Sequence, residues 1–542
     1  MNLLDLAPEL VLACVDALDD FADIRSLLRV GNRHLHALLT SSIAVRYRAY
    51  LDHAKLQENS HVLSTTLLAD RLDAAKGTMT RWMSFNPISR HTITVDFASS
   101  GIYDLCGDYY FLGDAPQADT GISNSLRFIA TSDPDAEWQV IDVGKPIIDF
   151  GLAIEEHDLI AVVTCATPEN TSERTLDVQL LCFSTAAPHP QAAKSELHLQ
   201  TNKVTGMRPS ISLEVVGRTL AVSVIYWAEE SRDNDILYFF DWRTGNQIMP
   251  QMYASDGGFT FVTPELLLIP NGHEPALDLI CIPPADTKTT ELLPIHTLRL
   301  PELQFPCQIF ALQCRGDPNP RTSSFPYTTS GPGSRARPAA RFLPNPTQSI
   351  LYFAFSTGSP LSDVTHEHVF VIPRAAFAAS VLPLLSALDP GVGADISWLD
   401  WGRYHARFLD ATSMSRHYIT TTVGTRLVAI APDARVKAAP IRLLYFNENV
   451  VEAHKHVLDM PGGMTEMPTA TLTVVPPDDL SAPPHFSSLE SFTEAVASLV
   501  PYVEIESKEK FSFDAVIVNN ENIIGVNFDG NNVSSLEVLY FG

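Results

Sequence analysis

The spacing of apolar residues along the chain changes near residue 90. Before that point, apolar residues recur at the three- and four-residue intervals of amphipathic helices; after it, short runs of Val, Ile, Leu, Phe and Tyr are separated by Gly, Pro, Asn and Asp. The pattern predicts a small helical part followed by an all-β part. We assign residues 1–50 to a helical domain, residues 51–91 to a helical connector and residues 92–542 to the β domain.

The helical domain is predicted to contain three short helices. Pro8 suits a first helical turn, which does not need the missing N–H, and Glu9 complements the helix dipole there. The apolar stripes of the first two helices are Val11, Cys14, Val15 and Leu18, and Ile24, Leu27 and Leu28. Helices this short bury little surface alone, so we expect the domain to need a partner or the rest of the chain.

The connector carries one more amphipathic pattern, over residues 64–82, which Asn86 and Pro87 end. We expect this helix to fix the helical domain against the β domain, with Trp82 packed in the junction.

The β domain repeats a pair of strands seven times. In each pair a continuous apolar strand precedes an alternating one: DYYFLG and LRFIAT, DLIAVVT and LDVQLLCFS, RTLAVSVIYW and DILYFFDWRTG, ELLLIP and ALDLICIP, SILYFAFSTG and HVFVIPR, RLVAIAP and IRLLYFNE, NIIGVNF and SLEVLYF. Inner propeller strands are buried on both faces and outer strands on one, so the repeat predicts a β-propeller of six to eight blades. A pair of β-sandwiches is the alternative.

Two polar stretches interrupt the strands. Residues 314–346 are rich in Pro, Ser and Gly and are predicted to be a disordered loop, although they contain the integrin-like tripeptide Arg315-Gly316-Asp317. Residues 476–500 predict a proline-rich insertion with a short helix from about Ser488, on which Phe492, Val496 and Leu499 share a face.

Composition narrows the partners and the compartment. With 37 basic and 63 acidic residues the net charge is -26, which argues against nucleic acid as a partner. No apolar run reaches the ~18 residues of a membrane span, and residues 6–18 lack the basic start of a signal peptide. The seven cysteines include no C-x-x-C pair. We therefore expect no membrane partner, and a cytoplasmic and/or nuclear location.

No motif of an enzyme is present. The sequence has no G-x-S-x-G elbow, P-loop, dinucleotide fingerprint or H-E-x-x-H. His366 and His368 place two imidazoles on one face of a strand, but no third metal ligand accompanies them. We predict no catalytic residue, cofactor or metal. Trp398, Trp401 and Tyr404 are candidates for a target-binding surface, with core packing as the alternative.

The stretch LAPELVLACVDALDDFADIRSLLRVGNRHLHAL resembles an F-box, the three-helix segment by which receptor subunits attach to the adaptor of cullin-RING ubiquitin ligases. The family's Leu-Pro-x-Glu-Leu start falls on residues 6–10, with Ala7 in place of the usual proline and Leu35 in place of a later aromatic. The resemblance implies that the adaptor contacts Leu6, Pro8, Glu9, Leu10, Val11, Val15, Leu18, Ile24, Leu27, Leu28, Val30 and Leu35.

Two functions are compatible with these features. In the first, the chain is a substrate receptor: the F-box docks on the adaptor and the propeller holds an unidentified protein target. In the second, it is a stand-alone propeller scaffold with no ligase role, or an enzyme with its site in the central channel. Binding to the adaptor separates the two.

Overall fold

A computed structural model describes residues 6–542 except 19–20, 116–122, 168–172, 204–207, 227–234, 255–257, 272–273, 285–293, 322–339, 362–363, 387–391, 412–413, 415–417, 432–437, 481–490 and 531. Helices dominate up to residue 83, a part we call the head. Its elements are α1 (Pro8–Asp16), α2 (Phe21–Arg29), α3 (Arg33–Ser41), α4 (Ile43–Ala54), β1 (Leu56–Glu58), α5 (Ser60–Leu63) and α6 (Leu68–Met83).

Local signals set the helix boundaries in the head. Pro8 is the first residue of α1, as predicted. The Asn32 side chain accepts a hydrogen bond from the Leu35 amide at the start of α3, and Ser42 does the same for Val45 at the start of α4. The expected helix over residues 64–82 is shorter, because α6 begins only at Leu68.

The remainder, which we call the body, is mostly antiparallel β-structure. Its strands are β2 (Ser89–Thr94), β3 (Ser99–Cys106), β4 (Tyr109–Asp114), β5 (Ser123–Ala130), β6 (Gln139–Ala153), β7 (Leu159–Ala166), β8 (Glu173–Cys182), β9 (Glu196–Lys203), β10 (Ser210–Val216), β11 (Thr219–Ile225), β12 (Ile236–Asp241), β13 (Asn246–Gln247), β14 (Met252–Tyr253), β15 (Thr260–Thr263), β16 (Leu266–Asn271), β17 (Ala276–Cys281), β18 (Ile295–Arg299), β19 (Gln308–Arg315), β20 (Phe342–Pro344), β21 (Ile350–Gly358), β22 (Thr365–Pro373), β23 (Asp395–Ile396), β24 (Arg407–Leu409), β25 (Thr422–Val423), β26 (Arg426–Ile430), β27 (Ala439–Tyr445), β28 (Met464–Glu466), β29 (Ala470–Val475), β30 (Tyr502–Phe511), β31 (Ala515–Val518), β32 (Asn522–Asp529) and β33 (Asn532–Tyr540). Four short helices interrupt them within the described residues: α7 (Ile154–His157), α8 (Arg374–Ser386), α9 (Trp398–His405) and α10 (Glu448–His454).

The strands of the body form successive sheets. The strand orders are β3-β4-β5-β6-β7-β8-β9, β10-β11-β12-β13, β15-β16-β17-β18-β23, β19-β21-β22-β24, β25-β26-β27-β30-β29-β28 and β31-β32-β33-β2. In the first sheet the long strand β6 pairs with β5 through its first half and with β7 through its second half. In the last sheet, β2 from the start of the body pairs with β33 from its end.

Each of the seven predicted strand pairs is confirmed as an antiparallel pair of neighbours: β4 with β5, β7 with β8, β11 with β12, β16 with β17, β21 with β22, β26 with β27 and β32 with β33. The predicted difference in burial between the two strands of a pair holds only in part, since β12, the partner of β11, buries five of its six residues. All seven residues of β11 are buried, whereas β27 alternates between buried and half-buried residues along its first half.

Buried apolar side chains fill the space between consecutive sheets. Val222 and Leu180 belong to one such cluster, and Leu267 and Phe239 to the next. The last sheet packs on the first, because Val538 of β33 and Tyr110 of β4 share a cluster. The core is therefore distributed between sheets rather than enclosed by any one pair of them.

Several contacts attach the head to the body, and they include a strand pair, side-chain hydrogen bonds and a ring stack. Strand β1 pairs with β20. At the end of α4, the carbonyl oxygen of His53 accepts hydrogen bonds from the side chains of Asn447 (2.9 Å) and Asn449 (3.1 Å). The Trp82 ring stacks on Phe541, with 4.2 Å between ring centroids, which confirms that Trp82 packs in the junction.

Two predicted segments differ from the structure at their described ends. Residues 314–321 and 340–346 are not a disordered loop: they include the end of β19 and all of β20, and the rest of the predicted loop, residues 322–339, lies outside the described residues. Residues 491–500 form no helix; Phe492 and Val496 are buried, and Phe492 bridges to Leu303 in an isolated β-bridge. Apolar packing therefore fixes Phe492 in extended backbone.

Helix α8 contains Pro383 and buries Phe377 and Val381 in the core of the body. In the described part of the chain, no helix combines the length and apolarity needed to cross a membrane.

Candidate functional site

The predicted adaptor-binding residues divide into three groups by burial. Four of them form the core of the head together with Leu39 and Val45: Val11, Val15, Ile24 and Leu35. Four more are partly buried against that core: Leu6, Leu18, Leu27 and Leu28. The residues of both groups therefore hold the helices of the head together.

The third group lies on the surface of the head. Pro8 and Glu9 are exposed, Leu10 is 54% exposed and Val30 is 50% exposed. These four residues are available to a partner without unfolding the head.

Helix α1 extends this exposed surface beyond the predicted residues. Ala13, Cys14 and Ala17 are exposed and follow Leu10 at helical spacing of three, four and seven residues. Cys14 was expected on the buried stripe with Val11 and Val15, and that expectation is wrong. The buried stripe is one residue narrower than predicted, and the exposed face of α1 beside it is also apolar. We call Leu10, Ala13, Cys14 and Ala17 the α1 surface.

Helix α4 holds the end of α1, and with it the α1 surface, through hydrogen bonds. Arg48 of α4 donates a hydrogen bond to the carbonyl oxygen of Val15 (3.2 Å) and another to that of Leu18, at the end of α1. A cationic side chain at this end of a helix also complements its dipole. Arg25 and Asp52 form an ion pair at 2.6 Å between α2 and α4.

The three predicted target-binding aromatic residues all lie on α9 but have different environments. Trp401 is only 2% exposed, and its Nε1 donates a hydrogen bond to the Arg299 carbonyl oxygen at 2.9 Å. It therefore packs in the core, which is the alternative considered from the sequence, and is unavailable to a target. Trp398 is half-buried against Trp401, while Tyr404 is 50% exposed. Of the three, Tyr404 offers most of its ring to a partner.

Sequence reasoning missed a cluster of ionisable groups inside the body. Asp104 of β3, Asp149 of β6, Glu214 of β10 and Arg315 of β19 lie near one another, together with Asp317. Arg315 Nη2 lies 2.7 Å from Asp104 Oδ1, and Asn319 donates a hydrogen bond to Glu214 at 2.5 Å. A cavity of about 60 Å³ opens beside them.

The electrostatics of this buried cluster are dominated by burial. Desolvation by burial raises the pKa of Asp149 and of Glu214 to about 7, and that of Asp317 to about 6. Burial also lowers the pKa of the neighbouring Arg374 to about 9. The tripeptide Arg315-Gly316-Asp317 is part of this interior, so it is not an exposed integrin-like motif.

The buried cluster lacks the arrangement of a nucleophilic enzyme. Cys106 lines the cavity, but burial raises the pKa of its thiol well above the usual value, which disfavours the reactive thiolate.

The two histidines considered as metal ligands differ in burial and in their hydrogen-bond partners. His368 is 1% exposed, and its Nε2 lies 2.8 Å from the Thr357 hydroxyl. His366 is half-buried on the same strand. Nowhere in the described ranges are three His, Cys, Asp or Glu side chains grouped so as to hold a metal ion. The absence of a metal from the protein stays a prediction.

Comparison with known proteins adds no assignment. No protein-family model matches the sequence, and no curated protein matches it.

Proposed function

We propose that this chain is a substrate-receptor subunit of a cullin-RING ubiquitin ligase. The α1 surface, together with the exposed Pro8, Glu9 and Val30, would bind the adaptor, and the body would bind a protein target. Catalysis would then occur on other subunits, because holding the target close to them raises its effective concentration.

One observation carries the adaptor role: exposed apolar side chains stand on α1 while the core of the head is complete without them. Val11, Val15 and Ile24 are at most 2% exposed, whereas Leu10 is 54% exposed on the same helix as Val11 and Val15. A helix that is apolar on two sides suits packing in two directions. The inner side stabilises the head, and the outer side supports binding to a partner.

We further propose that the body is a seven-bladed propeller. If β6 is divided between two blades, every blade contains a four-stranded antiparallel unit. The β2–β33 pairing supports closure, since it would join the first and last strands of the body in one blade. Each sheet packs on two neighbours, which also favours a propeller over two sandwiches, where a sheet packs on one.

The ionisable cluster is consistent with this architecture. Asp104, Glu214 and Arg315 lie on β3, β10 and β19, each the first strand of its sheet. First strands meet at the axis of a propeller, so their polar side chains would converge there. Tyr404, with Trp398 beside it, is the exposed aromatic surface we propose for the target.

Binding of the adaptor tests the proposal directly. The purified full-length chain should retain the adaptor subunit at micromolar concentrations in size-exclusion chromatography. If it does not, the receptor role is wrong and the alternative, a stand-alone interaction scaffold, takes its place.

A further inference from the structure

A cavity of about 350 Å³ lies where the head meets the body. One wall is formed by α6 of the head, including Met79, Arg81 and Trp82. Val423 and Arg426 of the body line another part of the cavity. This volume falls within the range of ~300–1,000 Å³ of small-molecule sites.

The charge of this junction cavity is opposite to that of the whole chain. Among the Lys, Arg, Asp and Glu side chains that line it, four are basic and two are acidic: Lys55, Arg81, Arg341 and Arg426, and Asp73 and Glu521. Lys55 already pairs with Glu448, at 3.0 Å. Within the described residues, none of the three arginines forms an ion pair with a carboxylate.

Arg426 is the most buried of these cations, at 8% exposure. Its guanidinium lies 4.0 Å from the centroid of the Trp82 ring, and its Nη2 donates to the Asn520 carbonyl oxygen at 3.0 Å. A buried guanidinium with neutral partners alone is costly, because desolvation is not offset by an opposite charge. An anion in the cavity would supply that charge.

Trp82 provides a second, independent observation. The side chain is 2% exposed, and its Nε1 has no hydrogen-bond partner among the described residues. A buried indole N–H without an acceptor costs about 1–3 kcal/mol. Indole and guanidinium groups are donors only, so the complementary ligand must present acceptors.

We infer that the junction cavity binds a small organic anion. Its acidic group would accept hydrogen bonds from Arg426 and the Trp82 Nε1, with Arg341 nearby, and its apolar part would contact Met79 and Val423. Because the lining comes from both α6 and the body, the bound anion would stabilise the attachment of the head. This inference does not depend on the proposed ligase role.

Titration of the full-length chain with phenyl phosphate tests the inference. Phenyl phosphate combines an anionic group with an apolar ring, and its binding should saturate in isothermal calorimetry and change tryptophan fluorescence. Trp82→Phe keeps an aromatic ring but removes the N–H, so it should weaken binding several-fold and abolish the fluorescence change. Benzylamine, of opposite charge, should not bind.

Two arginine substitutions make the test specific. Arg341 is exposed, so Arg341→Gln should fold normally and weaken phenyl phosphate binding about tenfold, the usual size of one lost charge-assisted contact. Arg299→Gln, on β18 and outside the cavity, is the matched control and should leave the affinity unchanged. The inference is overturned if the wild-type chain shows no saturable binding, or if Arg341→Gln and Trp82→Phe bind as tightly as wild type.

Discussion

Arg315 and Asp104, 211 residues apart in sequence, form an ion pair at 2.7 Å inside the body. Asp104 lies on β3 of the first sheet and Arg315 at the end of β19. The pair thus links two sheets that are distant in the chain. Asp104, Glu214 and Asp317 together raise the pKa of Arg315, although burial opposes them, so this guanidinium stays charged.

Glu214, beside this pair, should make the stability of the body depend on pH. Burial raises the pKa of Glu214 from 4.5 to about 7. Between these values the folded protein holds a proton that the unfolded chain lacks, so the stability from neutral Glu214 is present at low pH and lost as pH rises towards 7. Glu214→Gln should therefore raise the free energy of unfolding by about 1–3 kcal/mol at pH 8.

Chemical denaturation at pH 5 and pH 8 checks this prediction. The gain from Glu214→Gln should be much smaller at pH 5, where Glu214 is already neutral. Glu265→Gln, at an exposed position between β15 and β16, is the matched control and should have similar effects at both pH values. A gain from Glu214→Gln that is equal at both pH values would contradict the prediction.

Substitutions on the α1 surface should separate binding from folding. Pro8→Ser combined with Leu10→Ser removes two exposed groups, so co-purification with the ligase adaptor should be lost, with a decrease in affinity on the order of a hundredfold or more. The thermal transition of the body should stay nearly unchanged, because the core of α1–α4 is separate from the core of the body.

Val11→Ser is the informative comparison for the α1 surface. Val11 follows Leu10 directly but is 2% exposed in the core of the head. This substitution should unfold the head, seen as loss of helical circular dichroism, whereas the Pro8/Leu10 double variant should keep that signal. Retained adaptor binding by the double variant would count against the α1 surface.

Substitutions of Trp401 and Tyr404, which are three residues apart, should change the stability of the protein by very different amounts. Trp401→Ala removes a buried ring and its hydrogen bond, which should cost about 3–5 kcal/mol of stability. Tyr404→Ala changes an exposed ring, so stability should change by less than about 0.5 kcal/mol. Once a target is identified, its affinity should fall with Tyr404→Ala; an unchanged affinity would remove Tyr404 from the proposed binding surface.

Local patterns predicted most of the strands because their signals are contained in a few residues. A strand that is buried on both faces has a continuous apolar run, such as residues 159–163. Such a run can be recognised without knowing which strands lie beside it. The junction role of Trp82 also followed from its place at the end of an amphipathic helix. By contrast, the side of α1 on which Cys14 lies could not be read from spacing, because both sides are apolar.

The ionisable cluster could not be predicted because it depends on how sheets are arranged. Asp104, Asp149 and Glu214 each stand between two apolar or aromatic residues in the sequence, and this was the available signal. Only the packing of separate sheets brings them close to Arg315. The same reasoning applies to residues 491–500, where contacts with distant parts of the chain override a helical pattern.

Trp82 should determine how firmly the head is held on the body. Its ring is stacked between Phe541 and the Arg426 guanidinium, so Trp82→Ala should cost about 3–5 kcal/mol and increase proteolysis between α6 and β2. Trp82→Phe keeps a ring in this space and should cost much less. Limited proteolysis with mass spectrometry measures the effect. Equal cleavage of wild type and Trp82→Ala would mean that β1–β20 pairing and the His53 contacts suffice to hold the head.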